Sequence, residues 1–253
     1  VAGPIVRARE FFYQLDRPRR MRAPVVLEGG YLIIYGLFLK MVVADNLGHL
    51  VDSHWDLAAE PAGSRWMAVL VTVMFGGQIF CDFAGYTNLA RGVAYLLGFR
   101  LPINFDAPYR ARTFSDFWRR WHITLSRWLR DYLYVPLGGN RKGFRRCQLN
   151  LLIVMLLGGL WHGAAWTFVV WGAIHGLALM LERAAGVDEA RLDRHAVLRW
   201  LWPCAVQAVV LVAWAIFRAP TLPAGLAVVG NIFAGSGSPA GLAELWPVAG
   251  PCL

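Results

Sequence analysis

The feature that most constrains this chain is an uncharged run of 35 residues, 147–181, which contains no Asp, Glu, Lys or Arg. As one helix, at about 1.5 Å per residue, it would measure roughly 52 Å, whereas the hydrocarbon core of a bilayer is about 30 Å thick. One straight membrane span cannot use the whole run. We therefore predict two shorter helices that meet near Gly158-Gly159 or His162-Gly163, with the irregular junction buried in protein.

Four other stretches also lack charged residues, and a spanning helix needs about 20 mostly apolar residues. They are residues 29–39, extended by mostly apolar sequence over 24–44, and residues 66–81, 200–217 and 219–243. The last is broken by prolines, so we expect it to be partly interfacial. Hydrophobic residues make up 57% of the chain and charged residues 16%, against about 45–50% and about 25% in soluble domains. The sequence predicts an all-α polytopic membrane protein.

The basic residues are concentrated in two segments. The net charge of +9 could suggest a nucleic-acid partner. However, residues 1–22 hold six Arg against two acids and residues 110–146 hold ten basic residues against two acids, whereas residues 45–65 hold four acids and one Arg. By the positive-inside rule, the two basic segments are cytoplasmic and 45–65 is an external loop. The charge is mainly topological, and we expect no nucleic-acid partner.

The cysteines and the chain ends carry less information. The four cysteines are far apart and lack the spacing of a zinc site, so we expect small buried hydrophobes and no metal. The chain begins at Val1 without Met or an apolar leader. We expect residues 1–253 to be a single membrane domain truncated at both ends.

An apolar stripe begins after Thr113. Its members recur at spacings of 4, 3, 4, 3 and 4, which predicts one amphipathic helix; they are Phe114, Trp118, Trp121, Leu125, Trp128 and Tyr132. Thr113 with Asp116 fits a capping box. Four arginines fall on the opposite face: Arg119, Arg120, Arg127 and Arg130. We predict an interfacial helix on the cytoplasmic side, with His122 at the border of its two faces.

Three positions inside or beside the apolar runs carry ionisable groups. His162 lies between glycines within the uncharged run, where an ionisable side chain suggests a functional site, although a structural histidine bonded to a carbonyl is an open alternative. For His175 we favour the structural interpretation. Asp82 ends the second run and either pairs with Arg91 or a nearby histidine, which we favour, or binds a substrate hydroxyl. His49, His54 and His195 lie in predicted loops, where we expect them to be solvated.

Six ordered segments resemble the membrane-bound O-acyltransferase family, and within it the branch of alginate O-acetylation and teichoic acid D-alanylation. They are Gly-Pro-Ile-Val-Arg at 3–7, Phe-Cys-Asp-Phe-Ala-Gly-Tyr-Thr-Asn at 80–88, Leu-Pro-Ile-Asn-Phe-Asp-Ala-Pro-Tyr at 101–109, Phe-Trp-Arg-Arg-Trp-His at 117–122, Pro-Leu-Gly-Gly-Asn at 136–140 and Trp-His-Gly at 161–163. The likeness extends to about residue 233, and the leading and final helices of the family are missing.

The resemblance implies a fold and a reaction. The fold is a ring of transmembrane and re-entrant helices around a central tunnel, in a multi-pass protein of the bacterial inner membrane. The position of His162 is catalytic and that of His122 is its partner. The residues we expect to bind substrate are Asp82, Trp118, Trp121, Trp161, Arg119 and Arg120. A neutral imidazole can take the proton of an acceptor hydroxyl during attack on a thioester, which is worth about 10²–10⁴-fold.

The resemblance also implies the reactants and the partner. The donor is acetyl-CoA or an acyl carrier thioester, with no cofactor bound, and the Arg face could attract this anionic donor. The acceptor is a hydroxyl of an exported polysaccharide such as alginate. Membrane lipid surrounds the protein, and a periplasmic acetyltransferase partner completes the transfer.

Three other functions stay open on the sequence alone. One is D-alanyl transfer to teichoic acid. Another is a non-enzymatic conduit, in which His122, His162 and Asp82 line a path for protons or a small solute. The third is haem ligation by His162 and His175, but 13 residues on one continuous helix would separate them by about 19.5 Å, too far to share an iron.

Overall fold

A computed structural model describes residues 3–16 and 22–237, and within them the regular structure is helical apart from one isolated bridge between Ser64 and Ser236. The α-helices are α1 (Ala8–Leu15), α2 (Ala23–Leu37), α3 (Asp45–Ala59), α4 (Arg65–Leu96), α5 (Phe114–Arg120), α6 (Ile123–Leu129), α7 (Phe144–His162), α8 (Trp166–Ala184), α9 (Glu189–Arg194), α10 (Leu198–Arg218) and α11 (Leu222–Ala234). Two π-helical segments, Phe38–Ala44 and Arg130–Tyr134, and one 3-10 turn, Pro108–Arg110, complete the set. The all-α prediction is confirmed.

Three helical stretches of the described residues are long and apolar enough to cross a membrane. They are Ala23–Ala59, Arg65–Leu96 and Leu198–Arg218, and they contain the uncharged stretches 29–39, 66–81 and 200–217. The uncharged stretch 219–243 contains the shorter α11 of 13 residues, and its part beyond residue 237 lies outside the described residues. Arg17, Arg19, Arg20 and Cys252 also lie outside them. The chain is a membrane protein. The ring around a tunnel stays a prediction.

The prediction of a loop over 45–65 is wrong for most of its length, because residues 45–59 form α3 and continue the first apolar helix through the π segment. The external placement of this segment stays a prediction. Val51, Trp55 and Ala58 are buried against α4 and α11, at the spacing of one helix face. The four acidic residues of this segment made it resemble a polar loop, so its apolar face was not recognised from the charge pattern. His54 is also buried, with its Nδ1 2.9 Å from the carbonyl oxygen of Leu50, so its predicted solvation is wrong. His49 and His195 are exposed as expected.

The long uncharged run folds as predicted into two helices, α7 and α8, with the break at His162-Gly163. Gly163 has φ +157°, a conformation that side chains rarely adopt, and it ends α7. The two helices then pack closely against each other. A Cβ atom on Gly172 of α8 would lie 2.4 Å from the carbonyl oxygen of Met155 in α7, so only glycine allows this approach.

The buried core joins α4, α5, α8 and α10 through aromatic side chains. Phe117, Trp121, Trp171 and Trp214 belong to one cluster of buried residues, together with Val206 and other apolar residues of α10. Of the described cysteines, Cys147 is buried and Cys81 half-buried, but Cys204 is exposed on α10, contrary to expectation. The aromatic core includes Trp121, which directly precedes His122 in the chain, and Trp171, whose ring contacts that of His162.

We predict that Gly172→Ala destabilises the protein by about 1–3 kcal/mol, because the added methyl group meets backbone that cannot move aside. Gly30→Ala is the matched control, since a Cβ atom there has no heavy atom within 4 Å. Thermal unfolding of both variants in detergent is the measurement. An unchanged melting temperature for Gly172→Ala would contradict the close packing of α7 on α8.

Candidate active site

The helical segment is interrupted at His122. This residue has φ +41° and ψ 54°, in the left-handed region, between the end of α5 and the start of α6. Backbone groups on either side of His122 form hydrogen bonds with the preceding loop. Ile123 N–H donates to the Asn104 carbonyl at 2.9 Å, and Asp106 N–H donates to the Arg120 carbonyl at 3.0 Å. The predicted continuous helix is therefore wrong. Hydrogen bonds to the preceding loop interrupt the helix, although the apolar spacing in the sequence continues through this point.

Most of the aromatic stripe of this segment packs against protein, whereas its last member, Tyr132, is exposed. Trp121 is 4% exposed, and its ring lies 4.8 Å from that of Trp214 and 5.0 Å from that of Phe105. Phe114 and Phe117 are also buried. The predicted interfacial helix is thus corrected: α5 and α6 form part of the core that encloses His122.

His122 is held by one side chain. It is 4% exposed, its Nδ1 lies 3.2 Å from Oδ1 of Asn104, and the ring of Phe83 packs edge-on against it at 4.7 Å. The same Asn104 oxygen accepts the backbone N–H of Thr124 at 3.1 Å and the Thr124 hydroxyl at 3.0 Å. Because an amide oxygen only accepts, the proton of the His122 imidazole resides on Nδ1. The Nε2 atom is left as an acceptor.

His162 is the last residue of α7 and is exposed. Its ring packs edge-on against Trp171 at 5.3 Å and against Phe217 at 5.1 Å, and among the described residues no hydrogen bond to it is found. It is close enough to His122 for the charges of the two imidazoles to interact. The two predicted catalytic histidines thus lie within the range of electrostatic interaction, with His122 buried and His162 exposed, and no hydrogen bond between their rings is found among the described residues.

Glu182 is a site residue that the sequence analysis missed. This carboxylate is 2% exposed and accepts the N–H of Phe114 at 2.6 Å, the N–H of Ser115 at 2.9 Å and the Ser115 hydroxyl at 2.7 Å. The indole of Trp202 also donates to it, at 3.4 Å. The predicted cap is present as well, since Asp116 N–H donates to Oγ1 of Thr113 at 3.0 Å. Glu182 therefore anchors the start of α5, the helix that leads to His122.

Asp82 pairs as favoured, but with a different partner. Its Oδ1 lies 2.6 Å from Nζ of Lys40, which also lies 2.7 Å from Oδ1 of Asp45. Arg91 instead donates to Asn88 at 3.2 Å, so the predicted Asp82–Arg91 pair is wrong. Lys40 belongs to the neighbouring helical stretch. The sequence separation between Lys40 and Asp82 gives no sign that the two side chains meet. The ion cluster lies near the middle of two apolar helices, where isolated charges are costly.

The other predicted substrate-binding residues lie in different surroundings. Trp118 packs against Trp171 at 5.7 Å within the core, whereas Trp161 is exposed and 6.0 Å from Trp128. Both arginines engage carboxylates: Arg119 pairs with Glu189, and Arg120 lies 2.9 Å from Oδ1 of Asp116. Substrate binding by these residues stays a prediction.

His175 belongs to the core. It is 0% exposed and lies between the rings of Phe117 at 5.8 Å, Trp118 at 5.1 Å and Trp171 at 4.9 Å. The helix break brings it nearer to His162 than one continuous helix would allow, but Trp171 contacts both imidazoles. The three rings around His175 leave its imidazole no open side for a haem iron. No cluster of metal-ligating side chains is found in the described ranges 3–16 and 22–237.

Removing the anchor of α5 gives a testable result. We predict that Glu182→Gln destabilises the protein by about 1–3 kcal/mol, because one carboxylate oxygen is replaced by an amide nitrogen and one of the two α5 N–H groups loses its acceptor. Glu189→Gln is the control, since Glu189 makes an exposed ion pair with Arg119 of small expected value. Thermal unfolding in detergent compares them, and equal effects would contradict the anchoring role.

Comparison with known proteins points to one family. The model of the membrane-bound O-acyltransferase family matches residues 1–214. A probable alginate O-acetylase of Azotobacter vinelandii is 41% identical over 222 residues, which cover 88% of this chain and 43% of that protein. A peptidoglycan O-acetyltransferase of Helicobacter pylori is 40% identical over 233 residues, covering 90% and 43%. A teichoic acid D-alanyltransferase of Streptococcus thermophilus is 31% identical over 194 residues, covering 72% and 47%. The chain spans less than half the length of these relatives.

Proposed function

Because the chain belongs to the membrane-bound O-acyltransferase family, we propose that it carries the catalytic histidines of a membrane-embedded O-acetyltransferase. The enzyme moves an acetyl group from a cytoplasmic thioester toward hydroxyls of an exported cell-surface polysaccharide. The observation that carries the proposal is the pair of neighbouring imidazoles, with His122 fixed by Asn104 and His162 accessible.

His162 is the base in this proposal. Its neutral imidazole takes the proton of the acceptor hydroxyl as the oxygen attacks the thioester carbonyl, and a tetrahedral intermediate forms. Collapse of this intermediate breaks the carbon–sulfur bond, releases the acetyl ester, and returns the proton from His162 to the departing thiolate. Proton transfer of this kind contributes about 10²–10⁴-fold to the rate.

His122 acts as the positioning partner. Its Nδ1 proton is engaged by Asn104, so in the neutral ring the Nε2 atom has no proton to donate to a substrate carbonyl. That Nε2 can accept a hydrogen bond from the imidazole of His162 or from the acceptor hydroxyl. The absence of a proton on Nε2 therefore favours orientation of the base as the role of His122.

The names of the relatives support acetyl over D-alanyl transfer, since the identity is about 40% to the O-acetylating proteins and 31% to the D-alanyltransferase. The proposal includes alginate or a similar exported polysaccharide as acceptor, and acetyl-CoA or an acyl carrier as donor. It also includes a multi-pass placement in the bacterial inner membrane and a periplasmic acetyltransferase partner.

We predict that His162→Ala lowers O-acetylation by about 10²–10⁴-fold while the protein still accumulates in the membrane. The measurement is mass analysis of the acetyl content of the surface polysaccharide in cells that produce the intact membrane protein containing this chain. His195→Ala, at an exposed position after α9, is the control and leaves acetylation unchanged. Full acetylation by His162→Ala would refute the proposal.

A further inference from the structure

The segment from Arg141 to Arg146 carries four unpaired cations. Arg141, Lys142, Arg145 and Arg146 are all exposed, and within the described part of the chain none of their side chains makes an ion pair or a hydrogen bond. Four positive charges within six residues repel one another, so an anion that approaches them gains from all four. We call these four residues the 141–146 patch.

Four other arginines of the same basic segment, Arg112, Arg119, Arg120 and Arg130, have carboxylate partners within the chain, whereas Arg110 and Arg127 are exposed single cations without such a partner among the described residues. Arg112 lies 2.7 Å from Oδ1 of Asp193, Arg120 2.9 Å from Oδ1 of Asp116, and Arg130 2.8 Å from Oδ1 of Asp131. Arg130, and then Arg7, hold the pKa of Asp131 below its usual value, so this nearby carboxylate is already engaged. Only an anion from outside the described chain can neutralise the 141–146 patch.

The position of the patch identifies that anion. Arg145 and Arg146 lie in the first turn of α7, and the patch immediately precedes the apolar part of that helix, residues 147–162, which measures roughly 24 Å at about 1.5 Å per residue against a hydrocarbon core of about 30 Å. Phe144, which lies between the cations of the patch in sequence, is 55% exposed, and Tyr132 and Val135 of the preceding segment are also exposed. Cations interleaved with exposed apolar and aromatic side chains at the end of an apolar helix match the lipid headgroup boundary.

We propose that the 141–146 patch binds the phosphate headgroups of anionic phospholipids on the basic face of this membrane protein. The cations attract the headgroup phosphates, while Phe144 enters the adjoining acyl boundary. This surface is separate from the two histidines and does not depend on the proposed acetyl transfer.

The test uses the membrane-inserted chain in nanodiscs that contain a trace of photoactivatable phosphatidylglycerol or photoactivatable phosphatidylcholine. Mass spectrometry maps the labelled residues. We expect labelling at 141–146 to favour phosphatidylglycerol by about tenfold or more, since each surface cation contributes about 1 kcal/mol to anionic-lipid binding. Equal labelling by both lipids would overturn the proposal.

The charge-removing variant is Arg141→Gln/Lys142→Gln/Arg145→Gln/Arg146→Gln, for which we expect the preference to disappear. A charge-conserving variant, Arg141→Lys/Lys142→Arg/Arg145→Lys/Arg146→Lys, keeps the preference and shows that the segment tolerates substitution. The control Arg191→Gln/Arg194→Gln removes exposed cations that bond backbone carbonyls of α9 and its approach, and it also keeps the preference. An unchanged preference in the charge-removing variant would contradict the proposal.

Competition distinguishes the lipid from other anions. We expect millimolar inorganic phosphate or coenzyme A to lower the preference for phosphatidylglycerol no more than sodium chloride does at the same ionic strength. Displacement by either compound at matched ionic strength would make the patch a site for soluble phosphates and overturn the lipid proposal. Displacement by a soluble acidic acyl carrier protein would likewise overturn it in favour of a protein-docking surface.

Discussion

The side-chain oxygen of Asn104 is the interaction on which the candidate site depends. It accepts hydrogen bonds from the His122 ring, the Thr124 backbone and the Thr124 hydroxyl, and so it holds the chain in the left-handed turn between α5 and α6. A positive φ at a non-glycine residue costs of order 1–3 kcal/mol and persists where surrounding contacts enforce it. Here the enforced turn separates α6 from α5, and the imidazole at the turn is buried.

The rest of the core keeps this turn in place. Glu182 of α8 anchors the start of α5, and the rings of Trp121 and Trp214 join its end to α10. Trp171, also on α8, contacts the ring of His162. One helix, α8, therefore touches the elements that carry both histidines, and the close α7–α8 packing at Gly172 sets the position of His162. The geometry of the pair is a property of the whole aromatic core.

Much of this arrangement could be predicted from local sequence. The uncharged run 147–181 is too long for one span, and its break falls at Gly163, where a glycine backbone was needed. The apolar stretches are helices because length and hydrophobicity alone favour them. The two histidines stood out because one lies in an apolar run and the other in a motif of the resemblance.

Features that depend on distant parts of the chain could not be predicted. The apolar periodicity continues through His122, and the break comes from hydrogen bonds to residues 104 and 106. The buried face of α3 was concealed by acids on its other side. Lys40 reaches Asp82 from another helix, and Glu182 reaches α5 across 67 residues of chain. No pattern within one segment carries such contacts.

The most direct test of the account is the protonation of His122 in the membrane-inserted chain, read from nitrogen-15 spectra of labelled histidine. Assignment comes from the loss of the signal in His122→Gln. The account predicts a neutral ring with its proton on Nδ1, and a change of that signal in Asn104→Leu, which removes the acceptor. A ring protonated on Nε2 alone, or one unaffected by Asn104→Leu, would contradict it.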